Sequence, residues 1–310
     1  MTFQELTNEM MHLYTQGDYA GALELVEQHA DNFSQQSVYT TFWKMCLLSR
    51  CGRADDVLAV FQQGLDSGLC WAKIQFRDTD LDAVRDLPEF QRLTAISQKN
   101  YDEARKRVKR DQTVLLPDTS TSSSYPLLIA LHGGAGNKDS NLENWEAARQ
   151  SGWLVLSPQS TQPIYPGAYT WMDPELALED LQVYFEQILK DHPIDQQRVV
   201  IAGFSQGSGM AIYAALSGKI KVRGFLAIGT YLSDPGSIRP LAKQATSVRG
   251  YFITGEKERD LHKVREIQNI LKENNIPFGE EVHSDLGHEF PPDFGTSFAK
   301  AIDSIFTEQE

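Results

Sequence analysis

A serine flanked by glycines is the first feature of the sequence that suggests chemistry. It lies in GFSQG at residues 203–207. Residues 199–202 predict a buried strand and residues 210–216 predict a helix, which places Ser205 at a strand-to-helix turn. Such a turn exposes the serine oxygen and strains its backbone, and the neighbouring glycines supply the room that it needs. We predict Ser205 as a nucleophile; the alternative is a tight turn without catalytic use.

A nucleophilic serine needs a base, and the chain has 7 histidines. When the nucleophile occupies such a turn in a sheet with helices, an acid and then a histidine follow it in the chain. His262 begins a predicted helix and His283 lies inside a predicted strand, whereas His288 lies in the loop sequence GHEFPPDF. We therefore predict His288 as the base; the alternative is a loop histidine bonded to the backbone.

The acid is expected between the strand VRGYFITG and the helix that ends near residue 274. Glu256, Glu258 and Asp260 all have suitable positions. A carboxylate there orients the imidazole and stabilises the imidazolium. Asp260 directly precedes a predicted helix, where aspartate is a common N-cap. Glu258 has no such structural use and is favoured, while Asp260 stays open as the alternative.

Acyl transfer also requires two donors for the oxyanion. We predict that the backbone N–H of Gln206, the residue after the nucleophile, is one of them. The other is expected from HGGAG at residues 132–136, where Gly133 and Gly134 allow the backbone to approach a substrate. The alternative for both glycines is a turn without catalytic use.

The elements that position these residues form an α/β architecture from residue 113 onward. Short apolar runs alternate with helical segments, which is typical of a mostly parallel sheet with helices on both faces. The sequence TVLLP is a candidate for an antiparallel edge strand, and residues 117–126 predict a polar loop. The predicted core strands are 127–131, 153–156, 199–202, 225–228, 251–253 and 278–283.

The first 110 residues have only helical periodicity. Two similar segments surround Gly17 and Gly52, so their period is 35 residues, close to that of helix-turn-helix repeats. They resemble a degenerate pair of tetratricopeptide repeats; the alternative is a plain helical bundle. We predict a helical domain over residues 1–100, a charged linker over 101–112 and a catalytic domain over 113–310.

Residues 113–308 resemble an α/β-hydrolase of the phospholipase/carboxylesterase type. The motifs LHGGAGN, GFSQGSGMA and GHEFPPDF carry this resemblance in the expected order. It implies Ser205 as nucleophile, His288 as base, and hydrolysis of carboxylic esters or thioesters without a metal or an organic cofactor. The family usually has Asp three residues after the glycine that closes its strand, whereas this chain has Glu258 there.

A long segment, residues 157–174, follows the second predicted core strand at the catalytic edge of the sheet. Its rings, together with one after the strand at 225–228, predict an apolar wall for acyl or aryl groups, and Trp171 is expected to line the acyl site. The alternative is that these rings attach the loop to the protein body. The predicted wall consists of Tyr165, Tyr169, Trp171 and Tyr231.

The overall composition limits the choice of partners. The net charge is −13, so no general field attracts nucleic acid or an anionic membrane. Cys46, Cys51 and Cys70 have no zinc-like spacing, and the chain start has no signal-peptide pattern, so a cytoplasmic location is expected. We expect a small-molecule ester substrate, and a helical domain that contacts a second copy or a protein partner. The alternatives are a peptide-binding adaptor on a non-catalytic scaffold, or a peptidase with the same triad.

Overall fold

A computed structural model describes residues 1–118, 123–165, 167–245, 247–258 and 260–307, apart from the Gln4 side chain. Residues 119–122 of the predicted polar loop lie outside this set. The chain divides into two compact units: Met1–Val108 with Pro163–Pro166, and Lys109–Gln162 with Gly167–Glu310.

The helical unit contains α1 to α6. Tight turns join α1 to α2 and α3 to α4 at Gly17 and Gly52, whose φ angles of 79° and 73° lie in the left-handed region that favours glycine. The last helix extends beyond the predicted domain boundary at residue 100. The helices are α1 (Phe3–Thr15), α2 (Tyr19–His29), α3 (Ser37–Arg50), α4 (Ala54–Asp66), α5 (Asp82–Arg85) and α6 (Pro88–Arg107).

Aromatic packing fills the core of this unit. The Phe61 ring lies 5.0 Å from Phe76, 5.4 Å from Phe90 and 5.7 Å from Trp71, centroid to centroid. Ile164 and Tyr165 pack against the same core cluster, which explains why residues 163–166 group with the helical unit.

The second unit is built on a seven-stranded sheet of order β1-β3-β2-β6-β7-β8-β9. β1 pairs with β3 in antiparallel orientation, and the other pairs are parallel. The predicted α/β class, the core strands and the antiparallel edge strand are therefore confirmed. The strands are β1 (Gln112–Leu115), β2 (Tyr125–Leu131), β3 (Leu154–Pro158), β6 (Ile194–Phe204), β7 (Gly224–Ile228), β8 (Arg249–Gly255) and β9 (Phe278–His283).

Helices cover both faces of this sheet, so alternate residues of β2 enter different cores. Leu127 and Ile129 join one hydrophobic cluster, whereas Leu128 and Ala130 join the other. Burial on both faces explains why the parallel strands are continuous apolar runs. The helices are α7 (Leu142–Gln150), α8 (Pro174–Asp191), α9 (Gln206–Ser217), α10 (Arg239–Ala242), α11 (Leu261–Glu273) and α12 (Phe294–Phe306).

The segment predicted as a long loop contains two further strands. β4 (Gln162–Tyr165) and β5 (Ala168–Thr170) form a two-stranded sheet. The loop prediction was wrong here because pairing between two very short strands leaves little hydrophobic periodicity in the sequence. Among the residues that the structure describes, no helix is both long and apolar enough to cross a membrane.

Candidate active site

Ser205 occupies a strained position between β6 and α9. Its φ and ψ are 56° and −121°, a region that L-residues rarely adopt. A Cβ atom at Gly203 would lie 2.3 Å from the Gly207 carbonyl carbon, and one at Gly207 would lie 2.3 Å from the His132 carbonyl oxygen. Both glycines are therefore needed for the close packing that supports this turn.

Ser205, His288 and Glu258 form one hydrogen-bonded chain. His288 Nε2 lies 2.8 Å from Ser205 Oγ, and His288 Nδ1 lies 2.9 Å from Glu258 Oε2. With the proton on Nδ1, the imidazole donates to the carboxylate and accepts from the serine hydroxyl. The Glu258 side chain is 4% exposed and that of His288 is 48% exposed. The acid is therefore shielded, while the base faces solvent.

The position of the acid follows from the end of β8. The Glu258 N–H donates to the Gly255 carbonyl at 3.2 Å, which turns the chain directly after the strand. Gly229 has a φ of 53°, and a Cβ atom there would approach Glu258 Oε1 to 3.1 Å. The structure thus brings Glu258 to His288. It places Asp260, the alternative acid, at the N-cap of α11, where its carbonyl accepts from the Lys263 N–H at 2.9 Å.

Aromatic rings that the sequence analysis did not select support His288. The Phe204 ring lies 4.9 Å from the imidazole, and the Phe290 ring stacks on Phe204 at 5.0 Å. Trp145 in turn packs edge-on against Phe290 at 5.4 Å. His288 therefore packs against a column of three rings that begins in the hydrophobic core: Phe204, Phe290 and Trp145.

The glycine loop after β2 lies beside the nucleophile. A Cβ atom at Gly133 would lie 3.5 Å from Ser205 Cβ, and one at Gly134 would lie 3.5 Å from Gln206 Oε1. The Gly136 N–H donates to the Gly133 carbonyl at 3.0 Å, which closes a tight turn. This arrangement brings the loop to the start of α9, where backbone N–H groups point toward Ser205.

His132 is a buried residue of this region that the sequence analysis passed over. Its Nδ1 lies 2.7 Å from the Gly133 carbonyl oxygen, and its Nε2 lies 3.3 Å from the Ser160 N–H nitrogen. One ring nitrogen thus donates and the other accepts, which describes a neutral imidazole. Burial lowers the pKa of His132 to about 4. The neutral ring therefore stabilises the glycine loop through its hydrogen bond to the Gly133 carbonyl.

Residues 2–105 match the family model described as A/B hydrolase-like, N-terminal domain, and residues 177–305 match the model described as Phospholipase/Carboxylesterase. Over residues 177–305 the chain is therefore similar to the phospholipase/carboxylesterase family. The predicted resemblance is therefore confirmed, and the N-terminal helical unit coincides with a family domain of its own.

The chain is also similar to individual proteins. Over 54 residues the chain is 39% identical to acyl-protein thioesterase 1 of Neurospora crassa, a match that covers 16% of this chain and 22% of that relative. A crystal structure from Bacillus cereus ATCC 10987 has a TM-score of 0.55 at 24% identity and covers 99% of both chains. Esterase PE8 has a TM-score of 0.54 at 16% identity, over 64% of this chain and 100% of its own. These two likenesses concern the fold alone, which the first structure matches over nearly all of the chain and the second over about two thirds of it.

Two of the residues predicted to form an aromatic substrate wall have other contacts. Trp171 is 3% exposed, its indole N–H donates to the His132 carbonyl at 2.9 Å, and its ring packs on His132. Tyr165 packs edge-on against Tyr39 in the helical unit. Both rings are thus used in internal contacts, and a substrate contact by either of them stays a prediction.

The other two predicted wall residues are partly exposed. The Tyr169 N–H donates to the Gly136 carbonyl at 2.9 Å, and the Tyr231 N–H donates to the Ser205 carbonyl at 3.1 Å. The Tyr231 backbone therefore lies directly beside Ser205. A substrate contact by Tyr169 or Tyr231 stays a prediction.

One group of potential metal ligands occurs among the described residues, and it lies in the helical unit. Cys46, Asp78 and Asp80 have ligand atoms within 4.8 Å of one another. Burial raises the pKa of the Cys46 thiol, which disfavours the thiolate that binds metals. Asp80 already accepts a hydrogen bond from the Tyr14 hydroxyl at 2.7 Å. These contacts favour a structural role for the cluster.

Proposed function

We propose that this protein hydrolyses carboxylic esters or thioesters of small molecules through an acyl-enzyme. The observation that carries the proposal is the hydrogen-bonded chain from Ser205 Oγ through His288 to Glu258. Such a chain activates a serine oxygen that is otherwise a weak nucleophile at neutral pH.

In the first half-reaction, Ser205 Oγ attacks the carbonyl carbon while its proton moves to His288 Nε2. Glu258 stabilises the resulting imidazolium, which then donates the proton to the leaving alcohol or thiol. In the second half-reaction, His288 removes a proton from water, and the hydroxide attacks the acyl carbon. Expulsion of Ser205 Oγ, which recovers its proton from His288, releases the carboxylic acid.

The oxyanion that forms in each half-reaction needs donors that are already in place. The Gln206 N–H at the start of α9 and a backbone N–H of Gly133 or Gly134 are the proposed pair. The support for this pair is the approach of the glycine loop to Ser205 and Gln206. Loss of one such donor typically lowers turnover by about 10²–10³-fold.

The choice between ester and thioester substrates rests on observations other than the triad. The similarity to an acyl-protein thioesterase supports thioesters, and the triad serves both classes because His288 protonates either leaving group. A comparison of oxygen and sulfur esters with the same acyl group therefore identifies the preferred class.

The decisive test is hydrolysis of p-nitrophenyl esters from acetate to octanoate, and of thioesters with matched acyl groups, by the wild type and Ser205→Ala. We expect activity in the wild type and a loss of about 10³-fold or more in the variant, because the attacking atom is removed. Equal activity in the two proteins would overturn the triad chemistry. A folded wild type that cleaves none of these substrates, nor a p-nitroanilide, would instead support the adaptor function.

A further inference from the structure

The side chain of Gln206 has an unusual set of partners for a residue at the start of a helix. Its carboxamide oxygen accepts from the Thr170 hydroxyl at 2.7 Å and from the Trp171 N–H at 2.8 Å. Gln206 also carries one of the two proposed oxyanion donors on its backbone. Its position is therefore restrained from outside its own helix.

The segment that contains Thr170 and Trp171 also contacts the glycine loop, which carries the other proposed oxyanion donor. The Trp171 indole donates to the His132 carbonyl at 2.9 Å, and its ring lies 4.8 Å from the His132 ring. The Tyr169 N–H donates to the Gly136 carbonyl at 2.9 Å. We call residues 167–171 the strap, because this segment joins the glycine loop to the beginning of α9.

The strap is itself fixed by further hydrogen bonds, which are buried at Thr170 and exposed at Gly167. The Ser160 hydroxyl donates to the Thr170 carbonyl at 2.5 Å, and the Ser160 N–H bonds to His132. The Asn137 amide donates to the Gly167 carbonyl at 3.1 Å. Ser160, Thr170 and Trp171 are all buried, so water competes little for the hydrogen bonds at that end of the strap. A rigid segment of this kind transmits its position to both of the groups that it contacts.

We propose that Thr170 and Trp171 are positioning residues that set the distance between the two oxyanion donors. The inference rests on the proposed function, in which Gln206 and the glycine loop provide those donors. Neither residue contacts the reacting atoms: Thr170 and the Trp171 backbone N–H hold the Gln206 carboxamide, and the Trp171 indole holds the His132 carbonyl. Preorganised donors act only when they point at the developing charge. A small displacement of a donor therefore reduces the stabilisation of the transition state more than that of the substrate complex.

The test is Thr170→Val, which removes the hydroxyl but nearly keeps the side-chain shape. We expect kcat to fall about tenfold with KM nearly unchanged, less than for complete loss of a donor. Thr170→Ser restores the hydroxyl and should recover most of kcat. Thr40→Val is the matched control, because Thr40 is a buried threonine of the helical unit whose hydroxyl donates to the Ser37 carbonyl.

A second readout separates positioning from a general loss of structure. An alkyl trifluoromethyl ketone forms a bond from Ser205 Oγ to its carbonyl carbon; the ketone oxygen becomes an oxyanion and the serine proton moves to His288. Thr170→Val should weaken this inhibitor by about the same tenfold factor as kcat, while Tm should fall no more than in Thr40→Val. Trp171→Phe, which loses the indole N–H but keeps an aromatic ring, should behave in the same way if Thr170→Val folds poorly.

The two proposals fail in different ways. Wild-type kcat and inhibitor affinity in both Thr170→Val and Trp171→Phe would overturn the strap inference while leaving the esterase intact. Losses that match the unfolded fraction, without a selective effect on the inhibitor, would overturn it as well. Activity that does not depend on Ser205 would instead overturn the proposed function.

Discussion

His288 approaches Ser205 from a loop, and its side chain is 48% exposed, whereas the glycine loop on the other side of Ser205 is fixed by buried groups. On the histidine side, two hydrogen bonds and a column of rings position the base. On the oxyanion side, His132, Gln206 and the strap form a network of hydrogen bonds. In the proposed mechanism the two sides have different tasks, because the base must exchange protons with water and leaving groups while the oxyanion donors must not move.

The comparison indicates where substitutions will act on chemistry and where they will act on structure. Replacement of Glu258 or His288 removes a charge or a proton carrier and should leave the fold intact. A change on the oxyanion side disturbs buried polar groups, which are costly to leave unsatisfied.

Among the substitutions outside Ser205, Glu258→Gln is expected to have the largest effect on activity. The amide keeps the shape of the side chain but no longer stabilises the imidazolium, so kcat should fall by about 10²–10⁴-fold. Steady-state hydrolysis of a p-nitrophenyl ester measures the loss, and Tm shows that the fold remains. Asp260→Asn is the matched control and should change kcat by less than about threefold, because the contact that Asp260 makes at the start of α11 comes from its backbone carbonyl, which the substitution keeps. A greater loss in Asp260→Asn than in Glu258→Gln would assign the acid to Asp260.

On the oxyanion side, the buried His132 should make the free energy of unfolding depend on pH. Burial lowers the pKa of His132 from 6.5 to about 4, so the unfolded chain binds a proton at a higher pH than the folded protein does. The contribution of the neutral His132 imidazole to the free energy of unfolding is complete above pH 6.5. This contribution is lost as the pH falls from 6.5 to 4. The free energy of unfolding should therefore fall by about 3 kcal/mol through this group alone.

Denaturant unfolding at several pH values between 6.5 and 4 measures this slope. His132→Gln should flatten it, since the variant has no imidazole to protonate. His12→Gln is the control, because His12 lies on the surface of the helical unit, and its slope should match that of the wild type. Equal slopes in the wild type and His132→Gln would contradict a neutral buried His132.

The sequence predicted the histidine side better than the oxyanion side, and the reason is physical. Ser205 requires glycines two positions before and after it, and Glu258 follows the last residue of a strand by three. Such constraints act over a few residues and leave a local pattern. The sheet was predictable for a related reason, since burial on both faces requires continuous apolar runs such as 127–131.

The strap left no such pattern. Thr170 and Gln206 are 36 residues apart, and nothing near either residue in the sequence indicates that they meet. Trp171 was expected to line a pocket because large rings often do, but its indole N–H and its ring are both used against His132. Hydrogen bonds between distant residues depend on the assembled fold, so composition and spacing do not specify them.

The rings of Phe204 and Phe290 beside His288 should have a smaller effect on activity. Phe290→Leu removes the ring that stacks on Phe204, and Phe204 in turn packs against the His288 imidazole. Aromatic pairs contribute about 0.5–1.5 kcal/mol beyond their buried area, so we expect a modest fall in Tm and a kcat reduced about two- to fivefold. Phe306→Leu is the matched control, because Phe306 is another partly buried ring, packed against Trp153 in the same core cluster. It should lower Tm similarly without changing kcat. Equal kcat values in the two variants would show that the hydrogen bonds to Ser205 and Glu258 position His288 without help from the rings.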